Sequence, residues 1–305
     1  MIKWIDTHVH ISGVSRDGSV RDNLAGDLAA VLDGANADLR FVVSTDAGAE
    51  YHRMMERPEG VMDAARFIRA VVQQLPGRLY AACTVNPHFL DASLETADKC
   101  FGEWGFVMLG EMLQYKMYYR MDSDPVERLV RKATEFGVPV QVHISTENLA
   151  QGPFTSGIEE LHDLLGLVER APEATYILGH LVGGDQANPP VVDGYLDIID
   201  QRLGGWPANF WAEIKDINSP GVVTALQRIP SDRIMMGTDW VTRPGPPFLP
   251  YGMIYSNQSV EENPFTPNIP TMIDLLVAAG SSEETVRAIG FGNAVRLLKI
   301  DSDRQ

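Results

Sequence analysis

Cysteine is scarce in this chain. Cys83 and Cys100 are the two present among 305 residues, and they form no C-x-x-C pair. That leaves no thiolate zinc site and no dithiol redox motif to build on, and both thiols are expected in the core. Positive charge is short as well. Twenty-five Lys and Arg stand against 41 Asp and Glu, a formal net charge of −16. Such a balance argues against nucleic acid as a partner, because phosphate binding needs a basic face. It leaves room for a small anionic substrate, since one cleft can be locally positive. Long apolar runs are missing: no stretch reaches the ~18 residues of a membrane-spanning helix. No basic segment precedes an apolar one at the start, so no secretory leader and no membrane partner are expected, and the cytoplasm is the expected compartment. A glycine-rich phosphate loop after the first apolar run is also lacking, which removes the main marker of an open, doubly wound sheet.

What the chain does have is rhythm. "KWID", "LRFVVST" (39–45), "RLYAACTV" (78–85), "FVMLGEM" (106–112), "VPVQVHI" (138–144), "ATYILGH" (174–180), "NFWAEI" (209–214) and "RIMMGTD" (233–239) read as strands. They are short, rich in β-branched and aromatic residues, and suit strands buried on both faces. Amphipathic segments separate them, among them "PEGVMDAARFIRAVVQQL" with Pro58 at its start. "DPVERLVRKATEFG" opens on Asp124-Pro125, read as N-cap and N1, and closes on Gly137. Eight βα units predict a single (β/α)8 TIM barrel over residues 1–305. Residues 240–268, rich in Pro and Asn, break the rhythm just after the eighth strand and read as an active-site lid.

The chemistry-bearing residues sit at strand ends. His8 and His10 are two apart in "IDTHVH", so they point the same way from the first strand. Glu111 lies late in the fourth strand, His143 ends the fifth, His180 the sixth and Asp239 the eighth. All are metal-ligand types, and in a barrel those tips converge on one axis. So many buried polar groups would be expensive to desolvate without a cation. His52 and His88 fall in loops beyond strands two and three, where loop hydrogen bonds explain them. His162 lies on an amphipathic helix.

"IDTHVH", "VQVHIS", "LGHL" and "GTDW" resemble the metal-ligand signatures of the amidohydrolase superfamily. The tail "GFGNAVRLL" is similar to the closing helix of its amidohydrolase-related branch, which includes the decarboxylases of aminocarboxymuconate semialdehyde and of hydroxybenzoates. The resemblance implies His8, His10, His143 and Asp239 as ligands, with His180 either a ligand of a second metal or a free acid/base. Many members with two metals bridge them with a carboxylated lysine, others with Glu. No Lys stands at the fourth strand's tip here, and Glu111 is the residue to bridge two metals or to position a substrate. One or two divalent ions per chain are implied, zinc first and manganese as the alternative.

A bound dication lowers the pKa of water toward ~7 and polarises a carbonyl. The first expectation is therefore a metal-dependent hydrolase of a small amide, lactone or other ester, with Asp239 and His180 catalytic. A metal-dependent, non-oxidative decarboxylase is the alternative, and a non-catalytic metabolite-binding barrel the second. Tyr115 and Lys116 after the fourth strand, Arg53 after the second and Arg243 after the eighth suit a flat or anionic small-molecule substrate. A homodimer is compatible with all of this.

Overall fold

A parallel sheet needs helices over it and apolar side chains on both faces, and the strand runs supply them. In β1 (Lys3–His10) every residue after Lys3 is buried. The computed structural model describes residues 1–13, 22–45, 48–144, 157–182, 189–215, 221–242, 250–251 and 269–300. The remaining strands are β2 (Asp38–Ser44), β3 (Leu79–Cys83), β4 (Met108–Met112), β5 (Val140–His143), β6 (Tyr176–Val182), β7 (Phe210–Ile214), β8 (Ile234–Met236), β9 (Trp240–Thr242) and β10 (Pro250–Tyr251). β1 to β8 pair in sequence order, each pair parallel, with helices between them.

The eighth strand differs from the continuous run expected over 233–239. Its lower half, β8, pairs with β7, matching Ile214 with Met236. Its upper half, β9, pairs with β1, matching Val9 with Trp240. The strand thus crosses from β7 to β1 at residues 237–239 and brings the sheet round on itself as a (β/α)8 TIM barrel. Of the expected lid, Trp240–Thr242 and Pro250–Tyr251 form the antiparallel pair β9–β10; the other residues of 240–268, Arg243 among them, lie outside the described residues.

Two apolar clusters divide the core. The larger fills the space between sheet and helices. The smaller takes Ile5, Val42, Ala82, Met108, Ile177, Trp211 and Met235 from seven strands, together with Ala294, Leu298 and Ile300 of the tail. It is the apolar floor of the barrel interior, closed by the helix Asn293–Leu298. The tail motif has a mechanical explanation. Asn293 donates from Nδ2 to the carbonyls of Ser231 (2.9 Å) and Ile234 (2.7 Å), at the foot of β8. Gly290 lies so close to Trp4 that a Cβ there would sit 2.3 Å from the indole ring.

Helix punctuation holds with one shift. The helix Asp124–Glu135 has Ser123 as N-cap rather than Asp124, and the Asp124 carboxylate pairs with Arg170. An extra helix, Gly48–Glu56, precedes Pro58. Cys83 and Cys100 are free and buried. Among the described residues no helix is long and apolar enough to cross a membrane.

Candidate metal centre

The six strand-end residues singled out above come together in one buried cluster. His8 and His10 face each other, Nε2 to Nε2, at 3.1 Å. Glu111 lies across both, with Oε2 3.3 Å from His8 Nε2 and 3.4 Å from His10 Nε2. Its other oxygen, Oε1, is 3.0 Å from His143 Nδ1 and 3.2 Å from His180 Nε2. Asp239 spans the same divide: Oδ1 is 2.9 Å from His10 Nε2, and Oδ2 is 3.5 Å from His180 Nε2. One donor atom each from His8, Glu111, His180 and Asp239 lies within 4.8 Å of the others. The ligand set implied by resemblance centred on His8, His10, His143 and Asp239. The geometry puts Glu111 in the middle, with His143 reached through it.

Outer contacts fix the imidazoles. His8 donates from Nδ1 to Glu213 Oε2 at 2.8 Å, which leaves its Nε2 lone pair aimed at the cluster. His10 Nδ1 is 2.7 Å from Ser44 Oγ. Glu213, fully buried, also accepts from Gln141 Nε2 at 2.8 Å and lies 2.7 Å from the Thr7 hydroxyl. A carboxylate behind a ligating histidine fixes its tautomer and raises its basicity. Asp6 ties β1 to the crossing of the eighth strand: it accepts from the backbone N–H of His8 (3.1 Å) and of Thr238 (3.0 Å) and from the Thr238 hydroxyl (2.5 Å). His180 and Asp239 have φ of 53° and 55°, left-handed values that cost non-glycine residues on the order of 1–3 kcal/mol and concentrate at functional sites.

The electrostatics match a cation site. With no cation bound, burial alone pushes the His8 imidazole down, yet Glu111 and Glu213 outweigh it and raise His8 to about 10. Burial pushes Glu111 up, but His8 and His180 hold it well below the ordinary carboxylate range. Asp239 is likewise held low against burial, by Lys215 first and His180 next. Burial drives His180 well below the ordinary imidazole value, and leaves Asp6 raised to about 6. Two imidazole lone pairs facing each other beside two carboxylates are stable with a proton or a cation between them. His143 Nε2, buried, has no hydrogen-bond partner among the described residues. Nitrogen and carboxylate donors fit a borderline divalent ion such as zinc or manganese.

Of the expected substrate contacts, the Tyr115 ring lies 4.5 Å from the His143 ring. Lys116 instead places its ammonium 4.3 Å from the Tyr51 ring centre, and Arg53, 43% exposed, pairs with Glu50 at 3.3 Å. His88 bonds the Met117 carbonyl. The residues that sequence reasoning missed lie in and just after β7: Glu213 behind His8, and Lys215, the residue following the strand, whose Nζ is 2.9 Å from Asp239 Oδ2. The available signal was their spacing in "WAEIK", two charged residues on one face at a strand end.

A family model described as amidohydrolase matches residues 5–300. No curated protein gives a significant match. Among solved structures, 2,6-dihydroxybenzoate decarboxylase from Rhizobium is 17% identical with a TM-score of 0.65, covering 99% of this chain and 100% of its own. 5-Carboxyvanillate decarboxylase from Sphingomonas paucimobilis is 14% identical with a TM-score of 0.64, covering 99% and 100%. A dihydroxybenzoic acid decarboxylase from Polaromonas, solved with manganese and the inhibitor 2-nitroresorcinol, is 17% identical with a TM-score of 0.64, covering 99% and 98%. These neighbours overturn the first expectation, hydrolysis: the structures this fold resembles are mainly decarboxylases.

Proposed function

The chain belongs to the amidohydrolase family, and from that premise we propose that it is a metal-dependent, non-oxidative decarboxylase of a small aromatic or unsaturated carboxylic acid. The observation that carries this reading is the cluster of imidazoles and carboxylates at the strand ends, on a fold whose solved neighbours are mainly decarboxylases. Within it Asp239 contacts His10 through Oδ1 and Lys215 through Oδ2.

The ligands are His8, His10, His143, His180, Glu111 and Asp239, holding one or two divalent ions. The two oxygens of Glu111 face different histidine pairs, which supports either stoichiometry, and manganese is favoured by the Polaromonas neighbour. When bound, the ion supplies a Lewis acid that grips a carboxylate and a neighbouring oxygen. The chain's own groups supply the rest. Tyr115 beside His143 offers an aromatic wall for a flat ring. The bond from the ring carbon to the carboxylate breaks, its electron pair stays on the carbon, and a proton replaces the departing CO2. Asp239 and His180, 3.5 Å apart through Oδ2 and Nε2, are the groups placed to hold that proton. Glu213 and Ser44 keep His8 and His10 in the ligating orientation. Lys116, Arg53 and Arg243 are retained as rim cations for an anionic substrate. Two free, buried cysteines support a reducing, cytoplasmic setting.

The test is direct. Protein loaded with manganese is incubated with a panel of hydroxybenzoates and unsaturated carboxylic acids, and CO2 release is followed together with loss of the acid. Stoichiometric CO2 and decarboxylated product support the reading. A metal-replete protein that releases none from any member overturns it.

A further inference from the structure

Resting on the decarboxylase reading, we propose that Lys215 is the carboxylate anchor of this site: its ammonium bridges Asp239 and the carboxylate of the incoming acid. The placement follows from β7. Trp211 lies in the apolar floor, Glu213 two residues on lies behind His8, and Lys215 two further on continues the same inward face at the level of the histidines. Its Nζ is 2.9 Å from Asp239 Oδ2, while Asp239 Oδ1 is 2.9 Å from His10 Nε2. The ammonium therefore stands one carboxylate away from the metal donors.

A lysine there is a like charge beside a dication, and the repulsion between them must be offset by anions on both sides. Asp239 is one of them. An ammonium has three donors, so it can hold Asp239 and a second carboxylate together. Lys215 is 18% exposed and Asp239 16%, so this pair is the more accessible part of the cluster, whereas Glu111 and His8 are 2% and 1% exposed. Of the rim cations among the described residues, Arg53 is paired with Glu50 and Lys116 lies over Tyr51.

The anchor has a distinctive kinetic consequence. The carboxylate leaves as neutral CO2, so a cation held against it stabilises the bound acid more than the transition state. Removing such an interaction raises KM and leaves kcat unchanged or higher. A lysine that only pins Asp239 behaves oppositely, because loosening Asp239 lowers kcat.

The experiment uses manganese-loaded wild type, Lys215→Gln and Lys215→Arg. Each is titrated calorimetrically with 2,6-dihydroxybenzoate and with its neutral isostere 2,6-dihydroxybenzamide, with manganese content and circular dichroism checked in every sample. The proposal expects wild type to prefer the acid. Lys215→Gln should lose tenfold or more in affinity for the acid and less than about threefold for the amide, with Lys215→Arg keeping most of the preference. Equal losses for acid and amide, an unchanged ratio, or a wild type without preference overturn the anchor, as does a fall in kcat at unchanged KM. If Lys215→Gln does not fold, Lys215→Met takes its place, with the same expected loss of acid preference and the same overturning results. A wild type that prefers the acid but releases no CO2 sinks the decarboxylase reading while leaving the binding arm valid.

Discussion

Replacing Glu213 by Gln changes one atom in a fully buried carboxylate, and the outcome can be worked from its three neighbours. Glu213 Oε2 accepts from His8 Nδ1, and Oε1 accepts from Gln141 Nε2 beside the Thr7 hydroxyl. A glutamine offers one oxygen and one amide. If the oxygen faces Gln141 and Thr7, the amide meets His8 Nδ1. His8 must then carry its proton on Nε2, the atom that faces Glu111 and His10. If the oxygen faces His8, the amide meets the Gln141 amide. Thr7 can adapt by giving its proton to the Met236 carbonyl at 2.8 Å, but Gln141 has to flip. The first arrangement costs metal affinity, by about 10–100-fold for a partner of this kind, or roughly 1.4–2.8 kcal/mol. The second leaves a mismatched buried donor, about 1–3 kcal/mol of stability. We expect Glu213→Gln to fold, to bind manganese at least tenfold more weakly in competition with a chromogenic chelator, and to lose much of the metal-induced rise in unfolding temperature. Manganese affinity within about twofold of wild type in a folded variant would refute the role given to Glu213.

The titration of His8 gives a second prediction. Its value near 10 in the metal-free protein lies above the ordinary 6.5, so the stability it contributes is full below pH 6.5 and is lost as pH rises toward 10. Metal binding must displace that proton, so apparent affinity should rise about tenfold per pH unit across pH 7–9; calorimetry in buffers of different ionisation enthalpy should show at least one proton released, and zero release would contradict it. A third prediction separates site from scaffold. A Cβ at Gly237 would lie 2.5 Å from the Glu213 carboxyl carbon, and one at Gly290 would strike Trp4. Both Gly→Ala variants should lose stability, about 1–3 kcal/mol by overpacking, but Gly237→Ala alone should also weaken manganese binding in a metal titration.

Much of this site was legible because a parallel barrel forces strand ends together. His8, His10, Glu111, His143, His180 and Asp239 could each be placed at a tip, and the i, i+2 spacing put the first pair on one side. What could not be read has physical reasons. Glu213 and Lys215 end a run whose apolar half defines the strand, and a charge at a strand's end ordinarily faces water. The break in the eighth strand coincides with an Asp in a left-handed conformation, which leaves no compositional mark. Arg53 and Lys116 lie near the rim in sequence, but local partners, Glu50 and the Tyr51 ring, hold them. Hydrolysis was the first expectation because the same histidines and carboxylates serve hydrolases and decarboxylases, so ligand types alone do not separate the two, and Lys215, which pairs with Asp239, was the residue not foreseen.

The central claim is that this protein replaces a carboxylate by a proton at one carbon. The most direct measurement is turnover of 2,6-dihydroxybenzoate by the manganese-loaded protein in D2O, with the product examined by NMR and mass spectrometry. The account predicts resorcinol carrying one deuterium at the carbon that lost CO2, formed in step with CO2 and abolished when the metal is removed by chelator. Unchanged acid across hydroxybenzoate substrates, in a protein shown to hold its metal, would contradict it.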